Sequence, residues 1–217
     1  IPNSVENIEN NAFRGCKSLT AITIPDSATS IGDEAFRECE SLKSITISES
    51  VKSIGKSAFE GCKSLITITI PNSVKSIGFY AFSACESLTS IVVAEGNKVY
   101  DNRENCNAII ETDTNTLICG CQNTTIPNSV KRIGDYAFES CKLLITIVIP
   151  NSATEIGDGS FFMCESLKSI TIPDSVKSIG VQAFYGCSSL TTISIPNSIT
   201  TIGDAAFILC ESLTEIT

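Results

Sequence analysis

Apolar residues return along this chain on a fixed beat. Cys16, Cys39, Cys62 and Cys85 stand 23 residues apart, and Cys141, Cys164, Cys187 and Cys210 repeat that step. Phe13, Phe36, Phe59, Phe82, Phe138, Phe161, Phe184 and Phe207 keep the same interval, as do the leucines from Leu19 to Leu213. The unit reads I-P-x-S-V-x-x-I-G-x-x-A-F-x-x-C-x-S-L-x-x-I-x. Four such units fill residues 1–92 and four more fill 126–217; an atypical unit of 33 residues, 93–125, lies between them. Self-similarity at this period is the signature of a solenoid, in which each unit buries its apolar face only by stacking on its neighbours.

Each segment of the unit predicts an element. In Leu65-Ile66-Thr67-Ile68-Thr69-Ile70 the isoleucines Ile68 and Ile70 alternate with threonine, the period-2 pattern of a half-buried strand. Proline after the strand, as at Pro25, Pro71 and Pro173, cannot donate to a ladder and ends the pairing. V-x-x-I then supplies inward residues for a second short strand. The glycines that follow (Gly32, Gly55, Gly78, Gly134, Gly157, Gly180, Gly203) are expected to turn the chain with positive φ. A-F-x-x-C places Phe and Cys three apart, which predicts a short helical turn, with Asp33, Asp135, Asp158 and Asp204 capping it. The expected architecture is an α/β repeat solenoid. A parallel sheet forms one face, short strands and helical turns form the other, and one β-hairpin is inserted.

The unit, best seen in IPNSVKSIGFYAFSACESLTSI (70–91) and IPDSVKSIGVQAFYGCSSLTTI (172–193), resembles the BspA-like leucine-rich repeat family. The resemblance covers nearly the whole chain, and EGNKVYDNRENCNAIIETDTNTLICGC (95–121) is similar to an element found within such arrays. Ser48 and Ala94 depart from the pattern where it has Pro, and Glu9 where it has Gly; these touch turns rather than the core. The resemblance implies one leucine-rich repeat domain over 1–217 from a secreted or cell-surface protein. It also implies adhesion to host extracellular-matrix or surface glycoproteins.

In the atypical unit, Asn107–Ile110 and Thr116–Cys119 flank Thr112, Asp113, Thr114 and Asn115, which predicts a projecting hairpin with a four-residue turn. That turn is a candidate binding loop on a rigid array; the other reading is a spacer between the two runs of four units. Eight cysteines fall into ladders, where small buried thiols pack well without bridging. Cys106, Cys119 and Cys121 lie off the ladders, and Cys106 with Cys119 or Cys121 is a candidate disulfide pinning the hairpin. Zinc is not expected from Cys-x-Cys without histidine.

Composition narrows the function. The chain has 217 residues, no His, no Trp and a formal charge of −9. An acidic chain without a basic stripe is a poor match for nucleic acid. No apolar run approaches a membrane span, so no membrane insertion is expected in this segment. No leader peptide opens it; starting at Ile1 and stopping at Thr217 in mid-pattern, it reads as a trimmed piece. Without histidine the Ser–His and Cys–His pairs are impossible; no phosphate-binding or calcium-loop spacing appears. No enzyme, metal or cofactor is expected. The sequon Asn123-Thr124-Thr125 matters only where the host glycosylates.

What remains is the outward side of the predicted sheet. Thr23, Thr46, Thr67, Thr69, Thr146, Thr171 and Thr192 head a Thr/Ser carpet nearly free of charges and aromatic rings. Threonine suits any solvated strand, so the carpet is also what a passive array would show. Read functionally, it is a broad recognition face for proteins, of modest affinity without Trp, Tyr or Arg anchors. The alternatives are a structural spacer or stalk and, more weakly, a carbohydrate-binding surface.

Overall fold

The computed structural model describes all residues, Ile1–Thr217. The fold is a β-solenoid divided into two compact units, Ile1–Asp101 and Asn102–Thr217.

In the first unit the front strands Ala21–Thr23 and Ser44–Thr46 pair in parallel, as do Thr67–Ile70 and Ser90–Val93. The back strands Asn7–Ile8, Ser30–Ile31, Ser53–Ile54 and Ser76–Ile77 form a parallel sheet of four. In the second unit Thr146–Val148, Ser169–Thr171, Thr192–Ser194 and Glu215–Ile216 make the front sheet. Behind it Arg132–Ile133, Glu155–Ile156, Ser178–Ile179 and Thr201–Ile202 lie in parallel. Between the regular 23-residue coils every pairing joins residues 23 apart, such as Ile31 with Ile54 and Ile170 with Ile193, so one period is one turn of the solenoid.

The stacked columns are the core. Phe36, Phe59, Phe138, Phe161 and Phe184 are fully buried, and the rings lie nearly parallel with centroids 5.2–5.5 Å apart within each unit. That step follows from the strand spacing of about 4.8 Å, which sets the distance between identical positions. Beside the rings run the thiols. Cys39 Sγ donates to the carbonyl of Phe13 at 3.1 Å, Cys62 to Phe36 at 3.2 Å, and Cys164, Cys187 and Cys210 do likewise.

The segment expected to be a helical turn is not helical. From Gly32 to Cys39 the backbone N–H groups alternate in direction. Ala35, Arg37 and Cys39 donate back three residues within the coil; Glu34, Phe36 and Glu38 donate to Lys56, Ala58 and Glu60 of the next coil. A helix directs every N–H along its own axis; here half of them tie one coil to the next. The alternation requires left-handed residues two and six places after the glycine. Glu34 and Glu38 (φ 55° and 59°), Tyr80 and Ala84 (61° and 54°) and Tyr136 and Ser140 (55° and 54°) occupy those places. The chain therefore descends this side as linked tight turns.

The glycine after V-x-x-I also has a different reason from the one expected. Gly32, Gly55, Gly78, Gly134, Gly157, Gly180 and Gly203 are not in the left-handed region. They are needed because coils touch there: a Cβ on Gly55 would lie 2.5 Å from the Asp33 nitrogen and from the Gly32 carbonyl carbon. Glu9, where the pattern has glycine, stands exposed.

The aspartates cap across coils rather than within them. Asp33 Oδ1 accepts from Lys56 N–H at 2.7 Å, Asp135 from Asp158 at 2.9 Å and Asp158 from Val181 at 2.7 Å. Asn10 does the same for Asp33 at 2.7 Å, so a neutral amide oxygen serves at this place as well as a carboxylate. Asp33→Ala is accordingly expected to cost about 1–2 kcal/mol in chemical denaturation, the size of a lost cap. Asp33→Asn should stay within about 0.5 kcal/mol of wild type; equal losses in the two variants would make the charge responsible.

The hairpin does not project. Ala108–Glu111 pairs antiparallel with Thr116–Gly120, and Thr116–Gly120 continues the back sheet by pairing in parallel with Arg132–Ile133. Ile109, Ile110 and Leu117 are fully buried, so the insertion is part of the core of its unit. Gly120 occupies the place a phenylalanine holds in a regular coil: its N–H donates to Ala137, as Phe13 donates to Ala35. The Phe138 ring fills the space its Cβ would take.

Candidate interaction surfaces

Three surfaces emerge: the front sheets, the hairpin turn and the linked-turn side.

On the front sheets Thr23, Thr46, Thr67, Thr69, Thr146, Thr171 and Thr192 are all exposed, each beside a buried or half-buried isoleucine. The parallel register aligns Thr67 with Ser90, Thr69 with Val92, Thr146 with Ser169 and Thr171 with Ser194. The front sheets are less polar than the sequence pattern suggested. Ile66 stands exposed at the entry to the strand Thr67–Ile70, and Val92 stands beside Thr69. In the second unit Leu143, Ile145 and Val148 are 58 %, 54 % and 75 % exposed on a single coil. Leu143 and Ile145 escaped the sequence reading because they precede the strand, at positions held by serine and lysine in the next coil (Ser166, Lys168).

The hairpin turn is held rather than loose. Thr114 Oγ1 donates to Glu111 at 2.6 Å, Arg103 Nη1 donates to Asn115 Oδ1 at 2.8 Å, and Lys131 N–H donates to the Asn115 carbonyl at 2.9 Å. Asp113 and Thr114 are exposed, whereas Thr112 and Asn115 are half-buried. Cys106, Cys119 and Cys121 are not bridged to one another; their thiols have carbonyl partners on Ala108, Gly120 and Asn107.

The buried ladder thiols hold their protons tightly. Burial raises the Cys39 thiol to about 11 and Cys62 to about 12, and it pushes Cys164 and Cys187 up as well. A thiol-reactive maleimide is therefore expected to modify exposed Cys16 rapidly in the native protein. Cys39, Cys62, Cys164 and Cys187 should react only at the rate of unfolding. Peptide mapping of the labelled protein checks this; fast native labelling of Cys62 would contradict the burial. The same shifts fix a pH dependence. Above pH ~9 the unfolded thiols ionise while the native ones keep their protons, so the native state binds more protons. Stability should then fall as pH rises from about 9 toward 11 or 12 in urea titrations, and replacing Cys62 with alanine should lessen that slope.

The linked-turn side differs between the units. One position after each core phenylalanine, the first unit carries Arg14, Arg37, Glu60 and Ser83. Arg14 and Arg37 both pair with Glu34, at 2.6 and 3.3 Å, and Arg37 reaches Glu60 at 2.9 Å. At the same position the second unit carries Glu139, Phe162, Tyr185 and Ile208. Phe162 and Tyr185 stack at 4.9 Å with planes 12° apart, and Tyr136 lies 6.5 Å from Phe162 at 56°. Two glycines make room for this row. The Tyr136 ring covers Gly159, and the Met163 sulfur would lie 2.5 Å from a Cβ on Gly186. The signal was present in the sequence as a column spaced by 23, but it lies in a variable column between the constant ones.

No group of three or more His, Cys, Asp or Glu side chains is placed to hold a metal ion. An apolar hollow lined by Ile1, Val5, Ile8, Phe13 and Ile22 is the stacking face of the first coil. No helix is long and apolar enough to cross a membrane.

Parallel front strands, linked turns and stacked phenylalanine and cysteine columns define a leucine-rich-repeat solenoid. The chain belongs to the BspA-type leucine-rich repeat family, whose model matches residues 1–111 and 114–217 in six copies. A leucine-rich cell surface protein from Faecalibacterium prausnitzii A2-165 is 34 % identical in sequence, with a TM-score of 0.74. The match covers 96 % of this chain, which spans 62 % of that one. A leucine-rich repeat protein from Eubacterium ventriosum is 25 % identical at a TM-score of 0.74, covering all of this chain and 71 % of its own. The pneumococcal vaccine antigen PcpA, 23 % identical over all of this chain and 66 % of its own at a TM-score of 0.78, shares the fold. The comparison with curated proteins gave no match.

Proposed function

We propose that this array is a protein-interaction module of a bacterial surface or secreted protein, and that it adheres to host matrix or surface glycoproteins without catalysing a reaction. The observation that carries the reading is the front face. Each unit presents outward threonine and serine on its own front strands, with exposed Ile66 and Val92 among them in the first unit and exposed Leu143, Ile145 and Val148 in the second. Apolar side chains held on a rigid sheet lose little entropy on binding. Membership of the family and likeness to a cell surface protein support the location.

The test is surface-plasmon binding of the purified array to fibronectin, fibrinogen and laminin. Val148→Glu together with Ile145→Glu is expected to weaken saturable binding roughly tenfold, the loss of one apolar anchor, with thermal unfolding unchanged because both side chains are exposed. Absence of binding, even with the array tethered in many copies, would leave a structural spacer. Binding to a glycan array without any protein signal would make the surface a carbohydrate site.

A further inference from the structure

The aromatic row on the linked-turn side of the second unit is not needed for the fold. The first unit builds the same coils with Arg14, Arg37, Glu60 and Ser83 in its place. We propose that this row is a docking strip for a basic polypeptide segment of a partner protein, one that presents alternating apolar and Lys/Arg side chains. The proposal rests on the reading of the array as a protein-binding module and names a face and a partner chemistry for it.

Three observations carry the strip. First, it is apolar at the column where the first unit carries Arg14, Arg37 and Glu60: half-buried Phe162 and Tyr185 stack on one another, Tyr136 leans on Phe162, and Met163 lies over the next coil. Aromatic residues in fixed geometry are the usual anchors of protein interfaces. Second, the strip is rigid. Gly159 and Gly186 receive Tyr136 and Met163 at points where any Cβ would collide, so little side-chain freedom remains to be lost on binding. Third, its surroundings are acidic. From 134 to 142, 157 to 165, 180 to 188 and 203 to 211 the turns carry Asp135, Asp158, Asp204, Glu139, Glu165 and Glu211, against Lys142 alone. Lys142 pairs with Glu165 at 3.5 Å, and Arg132, two places before the first of these spans, pairs with Asp135 at 2.5 Å, so the excess of carboxylates is carried by Glu139, Asp158, Asp204 and Glu211. An apolar strip edged by carboxylates selects a partner that is apolar and cationic, and the charge steers its approach.

The same geometry argues against a sugar. Saccharides stack on open ring faces, whereas Phe162 and Tyr185 each cover a face of the other at 4.9 Å.

The test uses the full chain and two short synthetic peptides, one alternating leucine with lysine and one alternating leucine with glutamate. The lysine peptide should bind at least roughly tenfold tighter than the glutamate peptide and weaken as salt is raised. Phe162→Ser with Tyr185→Ser should weaken it roughly tenfold further. Serine stands at this position as Ser83 in the first unit, so the coils should keep their thermal transition. Glu139→Gln with Glu165→Gln, which leaves the rings in place, should weaken binding several-fold and flatten the salt dependence. Thr67→Ala with Thr69→Ala on the front face should change nothing. Equal binding of both peptides, no binding of either, or indifference to the ring variant would overturn the proposal. Glycan binding lost in the ring variant would overturn it in favour of a saccharide. Matrix-protein binding that maps to Ile145 and Val148 alone would remove this strip and keep the proposed function. Peptide binding on the strip without any matrix-protein binding would do the reverse.

Discussion

Phe59→Ala is expected to lower the free energy of unfolding by about 3–5 kcal/mol, the cost of removing a large ring from a packed core. Phe59 has no exposure and stacks between Phe36 at 5.3 Å and Phe82 at 5.5 Å. Its removal opens a cavity bordered by two coils, and each side loses an aromatic pairing worth about 0.5–1.5 kcal/mol. Phe207 touches one ring only, Phe184 at 5.3 Å, and is part-buried. Phe207→Ala should therefore cost roughly half as much. Urea denaturation of the two variants decides the matter: equal shifts in midpoint would mean that the phenylalanine column does not carry stability from coil to coil.

The second large effect is expected at a glycine. Gly55→Ala should destabilise by about 3 kcal/mol, at the upper end of overpacking costs, because the new Cβ meets backbone rather than a movable side chain. It would lie 2.5 Å from the Asp33 nitrogen and the Gly32 carbonyl carbon. Neither atom can retreat without loosening the Asp33–Lys56 contact of 2.7 Å. Gly61→Ala is the informative partner. Gly61 has φ 72°, and a Cβ there would come no nearer than 3.6 Å to any atom, the Glu38 side chain. The same position is held by Glu38 and Ala84 in adjacent coils at φ 59° and 54°. That substitution should cost no more than about 1 kcal/mol. A milder loss at Gly55 than at Gly61 would mean that backbone conformation, and not close approach, governs these glycines.

These two glycines mark where the sequence was legible and where it was not. The period, the inward isoleucines and the phenylalanine and cysteine columns were readable because burial leaves a chemical trace: the same apolar residue returns at the same place. The linked turns left no such trace. Their left-handed positions are filled by Glu34, Ser57, Tyr80, Tyr136 and Gln182, residues that announce no special conformation. A Phe–Cys spacing of three fits a helical turn as well as two consecutive tight turns. Gly55 signalled a glycine requirement but not its cause, since a contact with a residue 22 places away is invisible locally. The hairpin was readable as two apolar runs around a polar turn. That its second strand joins the back sheet depended on pairing with Arg132–Ile133, a long-range fact. On the surfaces, the outward threonines followed from alternation. The row of Phe162 and Tyr185 did not, because the constant residues of the repeat describe its core and this row falls in a variable column.

The alternating hydrogen bonds of the linked turns have a mechanical consequence. Glu34, Phe36 and Glu38 donate to the next coil, and the strand ladders run the same way, so the bonds between coils lie along the stacking direction. Tension along a run of coils passes through every interface in series and pulls these bonds along their length rather than in shear, so coils come away one at a time from the weakest interface. Each coil that peels away releases 23 residues, roughly 75–80 Å of extended chain. Within each unit, a steady pull should thus be met by stepwise lengthening at modest force, with every released coil finding an unchanged template on which to close when the load is removed.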